Sequence, residues 1–224
     1  MAIDSLIEEI FGRPIRAVIF DMDGVIIDSE PIHIQADTET FERHGLMVPP
    51  EAWNDILGMR SEDGLRVILD RYGTGTEDAG SVVDEKRTRY FELAEERLGL
   101  IPGVEAFVIS CRDRSLKTAV ATSGRSSYQI PFLERFGIRS LFDVVVTGDE
   151  VTNGKPHPEP YLLAASRLGI EPGSCLVIED ADNGIRSAKE AGCIVVGLAS
   201  TMSKEILLSA GADYVIDGFR ELMR

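Results

Sequence analysis

The sequence predicts an α/β protein, a doubly wound parallel sheet interrupted by an inserted all-helical domain. Three observations point there. Short, mainly apolar runs recur at 17–20, 116–121, 144–147, 175–178 and 194–197, the length of buried parallel strands and too short for helices. Segments with helical spacing separate them, and such alternation builds a parallel sheet with helices on both faces. The first run is followed by nearly a hundred residues before the next strong one, far more than a crossover between neighbouring strands needs.

Taken in order, Ile3 to Phe11 reads as a short amphipathic helix, with Ile3, Leu6, Ile7, Ile10 and Phe11 on one face and Asp4 or Ser5 as a cap. Ala17 to Phe20 is the first strand and runs directly into Asp21-Met22-Asp23-Gly24. Residues 29–98 form the insertion, with residues 1–28 and 99–224 making the α/β core. Ile34, Thr38, Phe41 and Leu46, then Trp53, Ile56 and Leu57, then Leu65, Ile68 and Leu69, then Val82 to Leu98 fall at helical spacing. That predicts about four helices, with Gly73 to Gly80 as the flexible loop. Joints at Ile26–Ser29 and Gly99–Gly103 would let such a cap open and close over the strand tips and exclude water.

From Gly103 on, helices and strands alternate. Helix Val104–Arg112 precedes strand Leu116–Ala121, helix Tyr128–Phe136 precedes strand Val144–Thr147, and helix Pro158–Leu168 precedes strand Cys175–Ile178. Helix Ala181–Ala191 then leads to strand Ile194–Gly197, and helix Ser203–Ser209 to a short edge strand, Tyr214–Ile216. No repeat or low-complexity stretch interrupts the pattern.

With 224 residues, 44% of them hydrophobic and 27% charged, the chain has room for a sizeable core. A formal net charge of -15 argues against nucleic acid or an anionic membrane as partner, since both need basic surface. It also means that an anionic substrate must be drawn in by a local cationic patch or a metal. Cys111, Cys175 and Cys193 are widely spaced and form no zinc pattern, which suits buried thiols in a reducing cytoplasm. Met1 to Arg13 lacks the order of a signal peptide, and no apolar run is long enough to span a bilayer. The sequence sets no oligomeric state.

The chemistry lies at the ends of the strands, where open α/β sheets bind ligands. Two carboxylates two residues apart, Asp21 and Asp23, are costly to bury unless a cation sits among them, although an acidic turn after a strand is the simpler alternative. Thr122-Ser123-Gly124 ends the second core strand, Gly154-Lys155-Pro156 follows the third, and Glu179-Asp180 ends the fourth. Two acidic pairs, a hydroxyl pair and a lysine are what phosphoryl transfer through an aspartyl-phosphate requires. A carboxylate attacks, carboxylates hold Mg²⁺, and donors and a cation meet the phosphoryl charge.

The chain resembles the haloacid dehalogenase superfamily, and within it the group of β-phosphoglucomutases and sugar-phosphate phosphatases. Asp21-Met22-Asp23-Gly24 matches its first motif, Thr122 its second, Lys155-Pro156 its third, and Glu179-Asp180 with Asn183-Gly184-Ile185 its fourth, in order over nearly the whole chain. The resemblance implies a Rossmann-like core with Asp21 as nucleophile and Asp23 as general acid/base. Asp21, Asp23 through its carbonyl, Glu179 and Asp180 would then be Mg²⁺ ligands. Thr122, Ser123 and Gly124 would donate to the phosphoryl group, and Lys155 would neutralise charge. Helix capping is the alternative for Glu179-Asp180 and for Thr122. Dehalogenases of the family lack a second Asp at the Asp23 position, so its presence favours phosphoryl transfer.

His33 stands where mutases of this group carry a histidine just inside the cap. Mutases also place Lys and Arg around the first cap loop, to grip a second phosphate. Here Leu57 occupies the lysine position and Arg60 is displaced by one, while Lys86 and Arg125 are further candidates for anion contact. The expected activity is therefore a cytoplasmic, Mg²⁺-dependent phosphatase of small phosphorylated metabolites, with a β-phosphoglucomutase-type isomerase using the same phospho-Asp21 as the alternative. A phospho-acceptor signalling module is disfavoured by the cap and by the nucleophile's place on the first strand.

Overall fold

The computed structural model describes residues 14–49, 52, 61–73, 75 and 78–223, and for 61–63 the backbone alone. The expected helix at Ile3–Phe11, the stretch with Trp53, Ile56 and Leu57, and Arg60 lie outside the described residues.

Six parallel strands form one sheet: β1 (Ala17–Phe20), β2 (Lys117–Ala121), β3 (Val144–Val146), β4 (Cys175–Glu179), β5 (Ile194–Leu198) and β6 (Tyr214–Ile216). Their spatial order is β3-β2-β1-β4-β5-β6, so β1 is central and β6 is an edge. β1, β4 and β5 are buried along their whole length, which is why they read as unbroken apolar runs rather than as alternating ones.

The two faces of β1 show the period-2 rule of a strand. Ala17 and Ile19 join Ala119, Ala121, Val177 and Val195 in one core cluster. Phe20 belongs to the other face, where its ring meets Phe107 edge-on at 5.9 Å and Phe142 at 5.8 Å, and Phe107 lies 5.3 Å from Phe219. Such aromatic pairs add to the burial of area that holds the layer together.

The described α-helices are α1 (Glu30–Arg43), α2 (Ser61–Tyr72), α3 (Ala79–Arg97), α4 (Val104–Asp113), α5 (Ser126–Arg135), α6 (Glu159–Leu168), α7 (Asp182–Glu190) and α8 (Lys204–Ala210). Two compact units result. Residues 28–99 form a helical unit built on α1, α2 and α3, and the sheet with the remaining helices forms the other. The helical unit has its own core of Phe41, Leu46, Leu65, Ile68 and Val82.

Boundaries shift where long-range partners intervene. α5 starts at Ser126 rather than Tyr128, because the Asp149 carboxylate accepts from the Ser126 amide at 2.8 Å and its hydroxyl at 2.6 Å. β4 runs one residue further than its apolar run, because Glu179 pairs with Gly197 in register. α7 starts at Asp182, one residue later than expected, with Ala181 at its N-cap position. Thr122 caps nothing, since Arg125 holds the N-cap position of α5.

Candidate active site

Parallel register sets the site. Phe20 is level with Val120 on one side and Ile178 on the other, so the residues just past them, Asp21, Thr122, Glu179 and Asp180, emerge at one edge of three adjacent strands. The Asp21 amide still donates to the Ile178 carbonyl at 3.0 Å and that of Thr122 to Val146 at 3.0 Å, which ties both residues to the sheet before the chain turns.

Gly24 makes the first turn. Its φ is +76°, a conformation that side chains resist. A Cβ there would stand 1.9 Å from Asp180 Oδ2, so the bare backbone is what lets the loop after β1 lie against the carboxylate at the end of β4.

Asp21, Glu179 and Asp180 are all buried, with one carboxylate oxygen of each within 4.8 Å of the others. Lys155 enters this cluster from the loop after β3. Its side chain is only 3% exposed, and its ammonium donates to Asp21 Oδ1 at 2.5 Å and Glu179 Oε1 at 2.6 Å. The loop is held from behind by Glu159, which accepts from the backbone amides of Thr152 at 2.7 Å and Asn153 at 2.9 Å.

Glu179, 1% exposed, accepts on both oxygens. Oε1 also takes the Tyr161 hydroxyl at 2.7 Å, and Oε2 takes the amides of Asp180 at 3.0 Å and Ala181 at 3.2 Å. Its carboxylate lies where a Cβ on Gly184 would be, 1.7 Å from Oε1. Four donors on one carboxylate make Glu179 foremost an anchor for Lys155 and for the turn into α7. Lys155 also stands 5.0 Å from the centre of the Tyr161 ring, within cation–π range.

The charges do not balance. Burial pushes the Asp21 carboxyl up to about 7; Lys155 opposes that rise, while Glu179 and Asp23 add to it. Burial alone would weaken the Lys155 ammonium, but Asp21 and Glu179 overcome it and hold its pKa above the ordinary lysine value. Burial, then Glu179 and Asp21, hold the Tyr161 phenol well above the ordinary tyrosine range, so it remains a donor. Three buried carboxylates around one ammonium leave the site short of positive charge, and a hard divalent cation with oxygen ligands fits that shortage.

Asp23 is partly buried, and its Oδ2 accepts from Gln129 Nε2 at 2.9 Å. Thr122 is buried, and its hydroxyl oxygen accepts from the Gly124 amide at 3.0 Å. That bond takes up the Gly124 N–H and turns the hydroxyl proton elsewhere. Ser123 is half-buried and Arg125 exposed.

The other expected residues belong to the helical unit. The His33 ring stacks on Tyr90 with centroids 4.1 Å apart, and burial together with Lys86 holds its pKa well below the ordinary value. Lys86 is buried and paired with Asp37 at 3.2 Å. α1 and α3 thus bring His33 and Lys86 together, and Lys86 has an intramolecular anion of its own.

Gln129, Asp149, Glu159 and Tyr161 carried no signal that singled them out. Each is an ordinary helix or loop residue in the sequence, and gains its role from a partner on another segment.

The family of haloacid dehalogenase-like hydrolases matches residues 18–198. A phosphorylated carbohydrates phosphatase of Thermotoga maritima is 35% identical over 202 residues, covering 88% of this chain and 92% of that protein. Hexitol phosphatase B of Escherichia coli K12 is 32% identical over 180 residues, covering 80% and 81%. Among solved structures, β-phosphoglucomutase of Clostridium difficile superposes with a TM-score of 0.81 at 27% identity, over 93% of each chain. The strand order, the four motifs at the strand tips and these similarities agree: the chain is a hydrolase belonging to the haloacid dehalogenase-like family, grouped with its phosphatases and β-phosphoglucomutase-like members.

Proposed function

We propose that the protein is a Mg²⁺-dependent phosphatase of small phosphorylated metabolites, most simply sugar phosphates, working through an aspartyl-phosphate on Asp21. The observation that carries this reading is the buried cluster of Asp21, Glu179 and Asp180 with the Lys155 ammonium bonded across two of them.

In the first half-reaction an Asp21 carboxylate oxygen attacks phosphorus. The bond from phosphorus to the leaving oxygen breaks, and Asp23 gives that oxygen its proton. In the second, Asp23 takes a proton from water, whose oxygen attacks the same phosphorus. The Asp21–phosphorus bond breaks, releasing inorganic phosphate and restoring both carboxyl groups. Thr122 donates its hydroxyl to the phosphoryl oxygens, with the backbone around Ser123 and Gly124 lining the same turn. Lys155 holds Asp21 in place and balances the phosphoryl charge. Mg²⁺, held by the carboxylates of Asp21 and Asp180 and the carbonyl of Asp23 with Glu179 alongside, would neutralise charge on the phosphoryl group.

Residues 29–98 are assigned to substrate selection. The support is that this stretch forms a helical unit with a core of its own, and that His33 and Lys86 meet within it. A cytoplasmic location accords with the burial of Cys111, Cys175 and Cys193 and with the absence, among the described residues, of a helix long and apolar enough to cross a membrane.

Phosphate release from a panel of sugar phosphates tests the reading. It should be fast on a few members with Mg²⁺, vanish with chelator, and vanish in Asp21→Asn. Sustained turnover by Asp21→Asn would remove the aspartyl-phosphate.

A further inference from the structure

We propose that Gln129 is the positioning residue for the general acid/base, holding the Asp23 carboxyl through its side-chain amide. The inference rests on the reading of Asp23 as the proton donor to the leaving group, and extends it to a residue in the first turn of α5.

Three observations carry it. Gln129 Nε2 donates to Asp23 Oδ2 at 2.9 Å across 106 positions of sequence. The side chain reaches Asp23 by crossing Gly124: a Cβ on that glycine would stand 2.1 Å from Nε2 and 2.7 Å from both Cδ and Cγ. Gly124 is thus bare where the amide passes, and one turn both shapes the phosphate-side loop and clears the path to the acid. Third, Gln129 is 5% exposed, yet its Oε1 is buried with no hydrogen-bond partner among the described residues.

An amide satisfied at one end only is a poor choice for stability, because a buried acceptor without a partner costs free energy that an apolar side chain of similar shape would not. The residue makes sense for what its Nε2 does. The plane of an Asp carboxyl turns about Cβ–Cγ over a broad range with no staggered wells to hold it. A neutral donor on one oxygen fixes its plane and adds no charge to an already crowded acidic site. The surroundings hold the donor firmly in turn. The Gln129 amide N–H bonds the Arg125 carbonyl at 3.1 Å within the first turn of α5, Asp149 fastens that turn through Ser126, and the Gly148 amide bonds the Gly124 carbonyl at 2.7 Å. Support of this kind is what keeps an acid/base group in productive geometry.

The test is the dependence of the first half-reaction on the leaving group. 4-Nitrophenolate departs without a proton, whereas benzyl alcohol needs one. Single-turnover release of each from its phosphate ester, with Mg²⁺ and enzyme in excess, isolates phosphorylation of Asp21. In Gln129→Met, benzyl phosphate should lose on the order of 10- to 100-fold in rate and 4-nitrophenyl phosphate less than about threefold, since general acid catalysis is worth about 10²–10⁴. The melting temperature should stay level or rise, because the orphaned oxygen is gone. Gln129→Leu, which removes the donor without adding an ionisable group beside Asp23, should show the same selectivity and serves if Met disturbs the fold.

Asp23→Ala is the reference. If it loses benzyl phosphate selectively and the Gln129 variants slow both esters equally or neither, Gln129 is a packing residue and the inference is overturned while Asp23 keeps its role. If Asp23→Ala itself shows no selectivity, the acid is elsewhere and both readings fall.

Discussion

The Lys155 ammonium and the Asp21 carboxylate meet at 2.5 Å although 134 positions of sequence separate them, and the same ammonium reaches Glu179. Removing it would leave two buried carboxylates facing each other. Lys155→Met should therefore cost about 3–5 kcal/mol of stability in metal-free protein, the usual penalty for breaking a buried ion pair. It should also lower kcat by at least about 10²-fold through lost charge stabilisation. Thermal melts with and without Mg²⁺, beside kcat, check this. A variant as stable as the parent in chelator would show that the carboxylates do not need the lysine.

Asp21 predicts how metal-free stability responds to pH. Its folded pKa of about 7 lies above its ordinary value of 3.8. Between these values the unfolded chain has given up the proton and the folded protein holds it, so folding weakens as pH rises through the window and levels off above it. Relative to Asp21→Asn, wild type in chelator should lose on the order of 2 kcal/mol between pH 5 and pH 8. Using the difference cancels other groups, His33 among them. Saturating Mg²⁺, which favours the carboxylate, should flatten the dependence. Denaturant curves at the two pH values decide, and parallel profiles for the two proteins would show that Asp21 is ionised in both states.

Gly24→Ala tests whether Asp180 serves a metal. The new methyl would collide with Asp180 Oδ2, and the backbone there is left-handed. The carboxylate must shift, and the Mg²⁺ concentration for half-maximal activity should rise about 10- to 100-fold, the scale seen when groups supporting a metal ligand are disturbed. An unchanged Mg²⁺ response in a folded variant would take Asp180 out of the ligand set.

Asp149→Ala should loosen the turn after β2. Hydrogen bonds from the Ser126 hydroxyl and amide hold the Asp149 carboxyl well below the ordinary aspartate range, so at neutral pH it is a charged acceptor at the start of α5. Its loss should cost about 1 kcal/mol, as other helix N-terminal acceptors do. Because the turn contains Ser123 and Gly124, KM should rise more than kcat falls. The same pattern in Ser126→Ala would tie the effect to this contact, whereas an equal fall in kcat alone would assign Asp149 another role.

The sheet was legible from sequence because each strand announces itself locally. β1 is four apolar residues running into Asp21-Met22-Asp23-Gly24, and β6 is Tyr214–Ile216 in both readings. Helix starts were less legible, as α5 shows: its first turn is completed by Asp149, 23 positions away. The motif residues Asp21, Thr122, Lys155, Glu179 and Asp180 stood out as polar groups abruptly ending or following apolar runs.

What the sequence by itself determined is the class of fold, the helical insertion in the chain order and the identity of the polar residues at the strand tips. Those depend on periodicity and composition over a few neighbouring residues. Only the tertiary structure decided that Glu179 is saturated by Lys155, Tyr161 and two backbone amides, that Lys86 is taken by Asp37, and that Gln129 reaches Asp23 over Gly124. Each joins segments far apart in the chain, and no local pattern encodes such a meeting. It depends on the register of parallel strands and on where a glycine leaves room for another side chain to pass.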